Sequence, residues 1–475
     1  MPDSSGYDAV VVGSGPNGLA AAITLARQGR SVLVLEAAKT VGGGLRSEEL
    51  LLEDCVHDIG AAVHPLGLAS PFFRSLPLED YGVEWIHSPA PLAHPLDDGT
   101  AVLLKRSLKE TAAGLGADGQ SYHKLMAPLV RNWEELLAEL MGPPHLPRHP
   151  LDMLRFAVSA FKSADRLARR RFEGERARAL FGGLAAHSVL PLEKRGTAAF
   201  GLMFGSAAHA VGWPIAKGGS KSIAAALADC LTSLGGEIRT ETLVRSLQDI
   251  PPARTVLFDV TPRQLSAITG AQFPESYRRR LNEHRYGPGV FKMDWVLDGP
   301  VPWQSPECAQ SATVHLGGSL EEIAAAESEI WRGRHPGKPL VIAVQPSLFD
   351  PNRAPEGKHI LWAYCHVPNG SDFDMSERIE AQIERFAPGF RRTVLARHVM
   401  APADLQAYNP NCVGGDIAGG IQDIQHMLLR PAGWRRSYAM PAKGWYICSS
   451  SAPPGAGVHG MCGFHAAKIA IKEMF

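Results

Sequence analysis

The sequence predicts an α/β fold of two domains, the first of them dinucleotide-binding. Three observations carry that reading. Between Tyr7 and Glu36 a strand, a glycine turn, a helix, a second strand and an acid follow in order. The chain has 475 residues, too many for one simple core. A glycine-flanked helix and further short apolar strands return after residue 215, beyond a long helical stretch.

Each element of the first unit has a physical reason. Asp8 to Val12 is a short Val-rich run that suits a buried parallel strand. Gly13, Gly15 and Gly18 follow in the G-x-G-x-x-G spacing, with Pro16 and Asn17 between them. Gly13 permits a tight turn, Gly15 lets the backbone approach a pyrophosphate, and Gly18 lets helix and strand pack closely. Leu19 to Gln28 reads as the helix, whose N-terminus offers free N–H groups and partial positive charge to phosphate. Ser31 to Leu35 is the second strand, and Glu36 at its tip is placed to accept from ribose hydroxyls. An acid there repels a 2′-phosphate, so the adenosine is expected to be of the NAD or FAD kind.

Composition narrows the class. The chain is 45% hydrophobic and 20% charged, with 48 basic and 48 acidic residues. Zero net charge gives no basis for nucleic-acid binding. The opening MPDSSGYDAV has neither the basic region nor the apolar core of a signal peptide, and no apolar run nears the ~20 residues of a spanning helix. Seven scattered cysteines without a C-x-x-C pair argue against a disulfide framework, a zinc site or a redox dithiol. A cytoplasmic location and no metal are expected.

A second glycine turn, Gly42 to Gly44, precedes Arg46. Backbone N–H groups of Gly43 and Gly44 can lie along the same pyrophosphate, with Arg46 as a planar cation. That pairing separates FAD proteins from NAD proteins. Here the sequence resembles the glutathione-reductase-type FAD-binding Rossmann fold, with an inserted α+β substrate domain, as in flavin amine oxidases and carotenoid desaturases. In those families the segment HDIGAAVHP runs beside the flavin, which makes His64 a candidate catalytic residue.

The remaining stretches follow in order. PLAHPLDDGTAVLL reads as a hairpin with an Asp98-Gly99 turn. From Ser121 to His187 the pattern is helical. Within it Leu151 to Phe172 carries apolar residues at Leu154, Val158, Phe161 and Ala168, with a run of Arg and Lys largely off that stripe. Such a basic amphipathic helix is either an ordinary helix with a solvated face or a peripheral membrane contact. Ser220 to Leu234 is a helix closed by Gly235-Gly236, and strands lead on to Val244, whose backbone pairs with adenine in the resembled families. GVFKMDWVLDGPVPW alternates as a strand, with Lys292 and Asp294 on one face. In flavin amine oxidases a lysine so placed holds a water against flavin N5; the plain alternative is an ion pair between Lys292 and Asp294. At the end, Pro453 to Gly460 is a glycine turn before a helix from Met461. Gly455, Gly457, Val458 and Gly460 resemble the C-terminal FAD motif of phytoene desaturase-like proteins. His459 in that turn is a candidate for flavin contact or proton transfer.

Together these motifs resemble the phytoene dehydrogenase-like FAD-dependent oxidoreductases, in the branch of pyridine nucleotide-disulfide oxidoreductase domain-containing protein 2. The resemblance implies an FAD domain of residues 1–90, 215–285 and 405–475, and a substrate domain of 91–214 and 286–404. It implies hydride transfer between a C–H bond of an apolar, isoprenoid- or lipid-like small molecule and flavin N5, with oxygen or a quinone as electron acceptor. Two rivals stand beside it: an amine oxidase using Lys292, and a prenyl or lipid carrier that keeps the fold without redox work. The sequence sets no oligomeric state.

Overall fold

The computed structural model describes residues 6–431 and 437–475. A five-stranded parallel sheet runs in the order Trp445–Ile447, Ala253–Phe258, Tyr7–Val12, Val32–Leu35, Glu237–Arg239. Ala9 to Val12 and all of Val32–Leu35 are buried. Helices cover both faces of such a sheet, so its strands are continuous apolar runs and do not alternate. The helix Pro16–Ala26 connects the first two strands. Its Pro sits at the first position, where a missing N–H costs nothing.

The C-terminal helix Met461–Met474 lies on Pro16–Ala26. A Cβ built on Gly463 would stand 1.7 Å from the Asn17 carbonyl oxygen, so the two helix backbones touch. Gly463→Val is expected to force them apart at a cost of about 3 kcal/mol or more. Thermal unfolding checks this, and an unchanged midpoint would show that the contact has slack.

A second, seven-stranded sheet runs Val394–Met400, Gly289–Asp298, Lys358–Val367, Val341–Val344, Ser311–Leu316, Ala90–Pro95, Ala101–Leu104. Its pairs are antiparallel except Ser311–Leu316 with Ala90–Pro95. Strand alternation divides its faces. Phe291, Met293 and Trp295 pack into an apolar layer with Ile379, Ile383 and Phe386 of the helix Ser376–Phe386. Lys292 and Asp294 point the other way, towards the first domain, in register with Tyr364 and Trp362.

Helices between residues 119 and 210 form a third layer around Tyr122, Phe172 and Phe181. The stretch from Leu151 to Phe172 is two helices, Pro150–Ala160 and Ala164–Arg171, and Ser163 caps the second by accepting from the Arg166 N–H at 3.3 Å. The first helix turns Phe156 and Ala160 inward and leaves Leu154, Val158 and Phe161 exposed. The apolar stripe read from the sequence therefore faces outward, and only Ala168 of that set is buried. No helix among the described residues is long and apolar enough to cross a membrane.

Candidate functional site: a cradle of four chain turns

The first glycine turn, the second, the segment from Gly60 to Gly67 and the C-terminal turn converge. A Cβ on Gly43 would lie 3.1 Å from Gly15 Cα, and one on Gly60 would lie 2.3 Å from the Gly44 carbonyl oxygen. One on Gly67 would lie 3.2 Å from the Val458 carbonyl oxygen. Gly44 has no atom within 4 Å of such a Cβ, so its outer side is open. Gly13 has φ +101°, a conformation that glycine takes without strain. Gly18 packs so closely that a Cβ would stand 2.1 Å from the Gly13 carbonyl oxygen, which is the helix–strand contact its spacing implies.

Glu36 is buried and fixed. One oxygen accepts from the Ser14 N–H at 2.9 Å and from its hydroxyl; the other accepts from the Ala38 N–H at 2.8 Å. Thr242 N–H donates to the Glu36 carbonyl, so the segment that carries Val244 is tied beside the acid, with Val244 itself buried. Val244 lies past the strand Glu237–Arg239. Arg46 donates from Nε to the Gly43 carbonyl at 3.0 Å and stacks over the Tyr408 ring at 4.4 Å. It thus braces the second glycine turn. Asn17 is buried with its Oδ1 unpartnered.

Asp259 belongs to this site and was not among the residues read from the sequence. It follows the strand Ala253–Phe258, which pairs in parallel with Tyr7–Val12. Its carboxylate accepts from the Gly18 N–H at 2.9 Å, and Cβ atoms on Gly13, Gly15 or Gly18 would all strike it. Burial pushes its carboxyl up to about 7, and the Glu36 charge adds to that rise. At neutral pH it is poised between its charged and neutral forms, and its neutral form is compatible with a nearby phosphate. An acid one residue beyond a strand end was the available signal.

His64 donates from Nε2 to Ser220 Oγ at 2.8 Å, because the serine hydroxyl is committed to the Ala61 carbonyl at 2.6 Å. Ser220 N–H and Ser47 Oγ both donate to Asp58 Oδ1, and Arg353 donates to Asp58 Oδ2 at 2.7 Å. This buried knot joins the first domain to the loop between Val341–Val344 and Lys358–Val367. Burial lowers His64 to about 4, so its ring is neutral at pH 7. His459 Nδ1 accepts from the Met461 N–H at 3.0 Å, and its carbonyl accepts from Ser70 Oγ. Burial lowers it too, to about 4. In this geometry His459 caps the C-terminal helix and holds the turn of Gly455, Gly457, Val458 and Gly460.

Lys292 is 2% exposed and donates to Asp294 on its own strand face. Asp294 lies 3.5 Å from Nδ1 of His57, a fully buried ring. Burial lowers the lysine's pKa, while Asp294 and the more distant Asp58 oppose that fall. The strand thus brings Lys292 to the domain junction, inside an ion pair. The structure brings His64 and His459 together around the short helix Pro65–Ala69, and Lys292 is linked to the His64 knot through Asp58, whose charge acts on both. Arg430 is another buried group that no motif announced. It donates to the Gly420 and Ile421 carbonyls at 2.7 and 2.8 Å, beneath Gly455. No group of three or more metal-ligating side chains stands together among the described residues.

Residues 11–76 match the family model described as an NAD(P)-binding Rossmann-like domain. Mouse pyridine nucleotide-disulfide oxidoreductase domain-containing protein 2 is 25% identical, over 98% of this chain and 94% of its own length. The neurosporene-forming phytoene desaturase of Rhodobacter capsulatus is 24% identical, over 52% of this chain and 51% of its own. Among solved structures, cyclohexylamine oxidase from Brevibacterium oxydans superposes with a TM-score of 0.60, covering 98% of this chain and 99% of that one at 14% identity. The chain is therefore similar over nearly its whole length to pyridine nucleotide-disulfide oxidoreductase domain-containing protein 2, and over about half of it to a phytoene desaturase.

Proposed function

We propose that the chain binds FAD in the four-turn cradle and moves a hydride between a C–H bond of an apolar, isoprenoid- or lipid-like substrate and the flavin. The observation that carries this reading is the meeting of the Gly15 and Gly43 turns beside a fixed Glu36. FAD supplies the hydride chemistry when bound. The residues of the chain bind and orient it. Glu36 offers its remaining lone pairs to ribose hydroxyls, and the Asn17 N–H in the first turn of Pro16–Ala26 is left for the pyrophosphate, since Pro16 has none and the Gly18 N–H donates to Asp259. The N-terminus of Met461–Met474, held by His459, adds partial positive charge. No side chain is assigned as acid or base. Ile59, Ala62, Ile215, Ile342 and Val344 form an apolar layer between the two domains, which suits an apolar substrate. Oxygen or a quinone takes the electrons.

An amine oxidase built on Lys292 has less support, because that ammonium is already paired with Asp294 inside the protein. A carrier without redox function would lack bound flavin.

The test begins with the absorbance spectrum of the purified protein. A flavin spectrum that bleaches with dithionite and returns in air is expected. Gly44→Leu probes the location, since the added side chain enters open space and leaves the fold intact. Its flavin content is expected to fall to about a tenth or less at an unchanged apoprotein melting temperature, roughly 1.4 kcal/mol of lost binding or more. Undiminished flavin in this variant would move the cofactor elsewhere.

A further inference from the structure

Five large apolar side chains stand outside the protein on one short stretch. Leu146 is 92% exposed, Leu151 68%, Leu154 60%, Val158 57% and Phe161 56%. Isolated exposed leucines are ordinary, but a contiguous set of this size marks a contact surface. The last four recur at spacings of three, four and three along Pro150–Ala160 and its C-cap, so they share an arc of about 80° on the helix. Phe156 and Ala160, on the opposite side, are buried and anchor the helix to the domain. The outward face is therefore fixed by packing, and among the described residues nothing covers it.

Charge identifies what covers it. Between residues 141 and 172 the chain holds seven arginines and lysines against two acids, in a molecule whose total charge is zero. Arg155 falls about 40° round the helix from Leu151 and borders the stripe. Arg166, Arg170 and Arg171 on the following helix are exposed and have no ion-pair partner among the described residues. An apolar stripe beside concentrated positive charge matches the boundary between acyl chains and anionic headgroups.

We propose that Pro150–Ala160 lies flat on an anionic phospholipid bilayer, with Leu151, Leu154, Val158 and Phe161 in the acyl boundary and the neighbouring arginines against the headgroups. The surface stands apart from the cradle, so the inference does not depend on the cofactor.

Vesicle co-sedimentation of the full chain tests it. With vesicles of phosphatidylcholine containing one-third phosphatidylglycerol, binding is expected to be about tenfold stronger than with phosphatidylcholine alone, and to fall severalfold in 0.5 M salt. L151S/L154S/V158S/F161S changes only exposed positions and is expected to keep its melting temperature while losing binding about tenfold or more. R166E/R170E/R171E is expected to lose the preference for the anionic vesicles. The proposal is overturned if the wild-type chain stays in the supernatant with both vesicles, or if the serine variant binds as well as wild type. It is also overturned if light scattering shows a dimer that the serine variant dissociates, since the stripe would then be covered by a second copy.

Discussion

Acidification from pH 7 to pH 5 is expected to unfold this protein steeply. Seven histidines inside it are held neutral by burial: His64, His94, His209, His284 and His459 are lowered to about 4, His187 to about 3, and His315 well below its ordinary value. In the unfolded chain each titrates near 6.5. A depressed folded pKa gives stability that is complete above 6.5 and is lost as pH falls from there towards 4. Near pH 5.5 the unfolded chain binds nearly one proton on each ring, and the folded chain almost none. Asp259 works against this, because its carboxyl, pushed up to about 7, keeps a proton in the folded state that the unfolded chain has released. The balance is about 7 kcal/mol of stability lost per pH unit. That compares with a total of roughly 5–15 kcal/mol for a typical protein. Near-ultraviolet circular dichroism against pH checks it. A native signal retained at pH 4.5 would mean that these rings gain protons without unfolding.

Removing the Asp58–Arg353 pair from one side is expected to cost about 3–5 kcal/mol. Both side chains are 1% exposed, and their charges meet at 2.7 Å. Burial pushes the Asp58 carboxyl up, but the Arg353 charge and donors from Ser47 and Ser220 outweigh it, so the group titrates below the usual range. Asp58→Ala leaves a buried guanidinium without its counter-charge, together with two stranded donors. Arg353→Met leaves the reverse. The double variant D58A/R353M is expected to lose far less than the two single losses combined, because neither charge remains alone. Urea unfolding of the four proteins measures the coupling. Additive losses would show that the pair does not act as a unit. The same knot holds Gly219 and Ser220 against Ser47, so flavin retention is expected to fall in Asp58→Ala as well.

Much of the nucleotide domain was legible because its signals are local. The turn from Gly13 to Gly18 needs particular residues at consecutive positions, and each need can be read without knowing what packs above it. The strand Gly289–Asp298 was legible for the same reason: alternation puts Lys292 and Asp294 on one face whatever the fold. Alternation does not say what that face meets. His57, brought in from 237 residues away by Val56–Asp58, completes the cluster and could not be inferred from spacing. The same limit hid Asp259, whose meaning depends on a parallel strand pair 241 residues apart from Gly18. His459 also stood in a turn where several roles were open, and only the folded chain shows its ring Nδ1 accepting from the Met461 N–H at the start of the last helix.

The helix Pro150–Ala160 shows the division most plainly. The sequence by itself determined an apolar stripe, a basic neighbourhood and the glycine and acid positions of the dinucleotide fold, all through local periodicity and backbone sterics. Amphipathic periodicity identifies an apolar face but is silent on whether that face turns to a core or to the outside. Only the tertiary structure decided that, by burying Phe156 and Ala160 and so turning Leu154, Val158 and Phe161 outward. Burial depends on which distant surfaces meet. The same physical reason applies to the convergence of the Gly15, Gly43, Gly67 and Val458 turns, since separate stretches of chain become one cradle only when the domain closes around them.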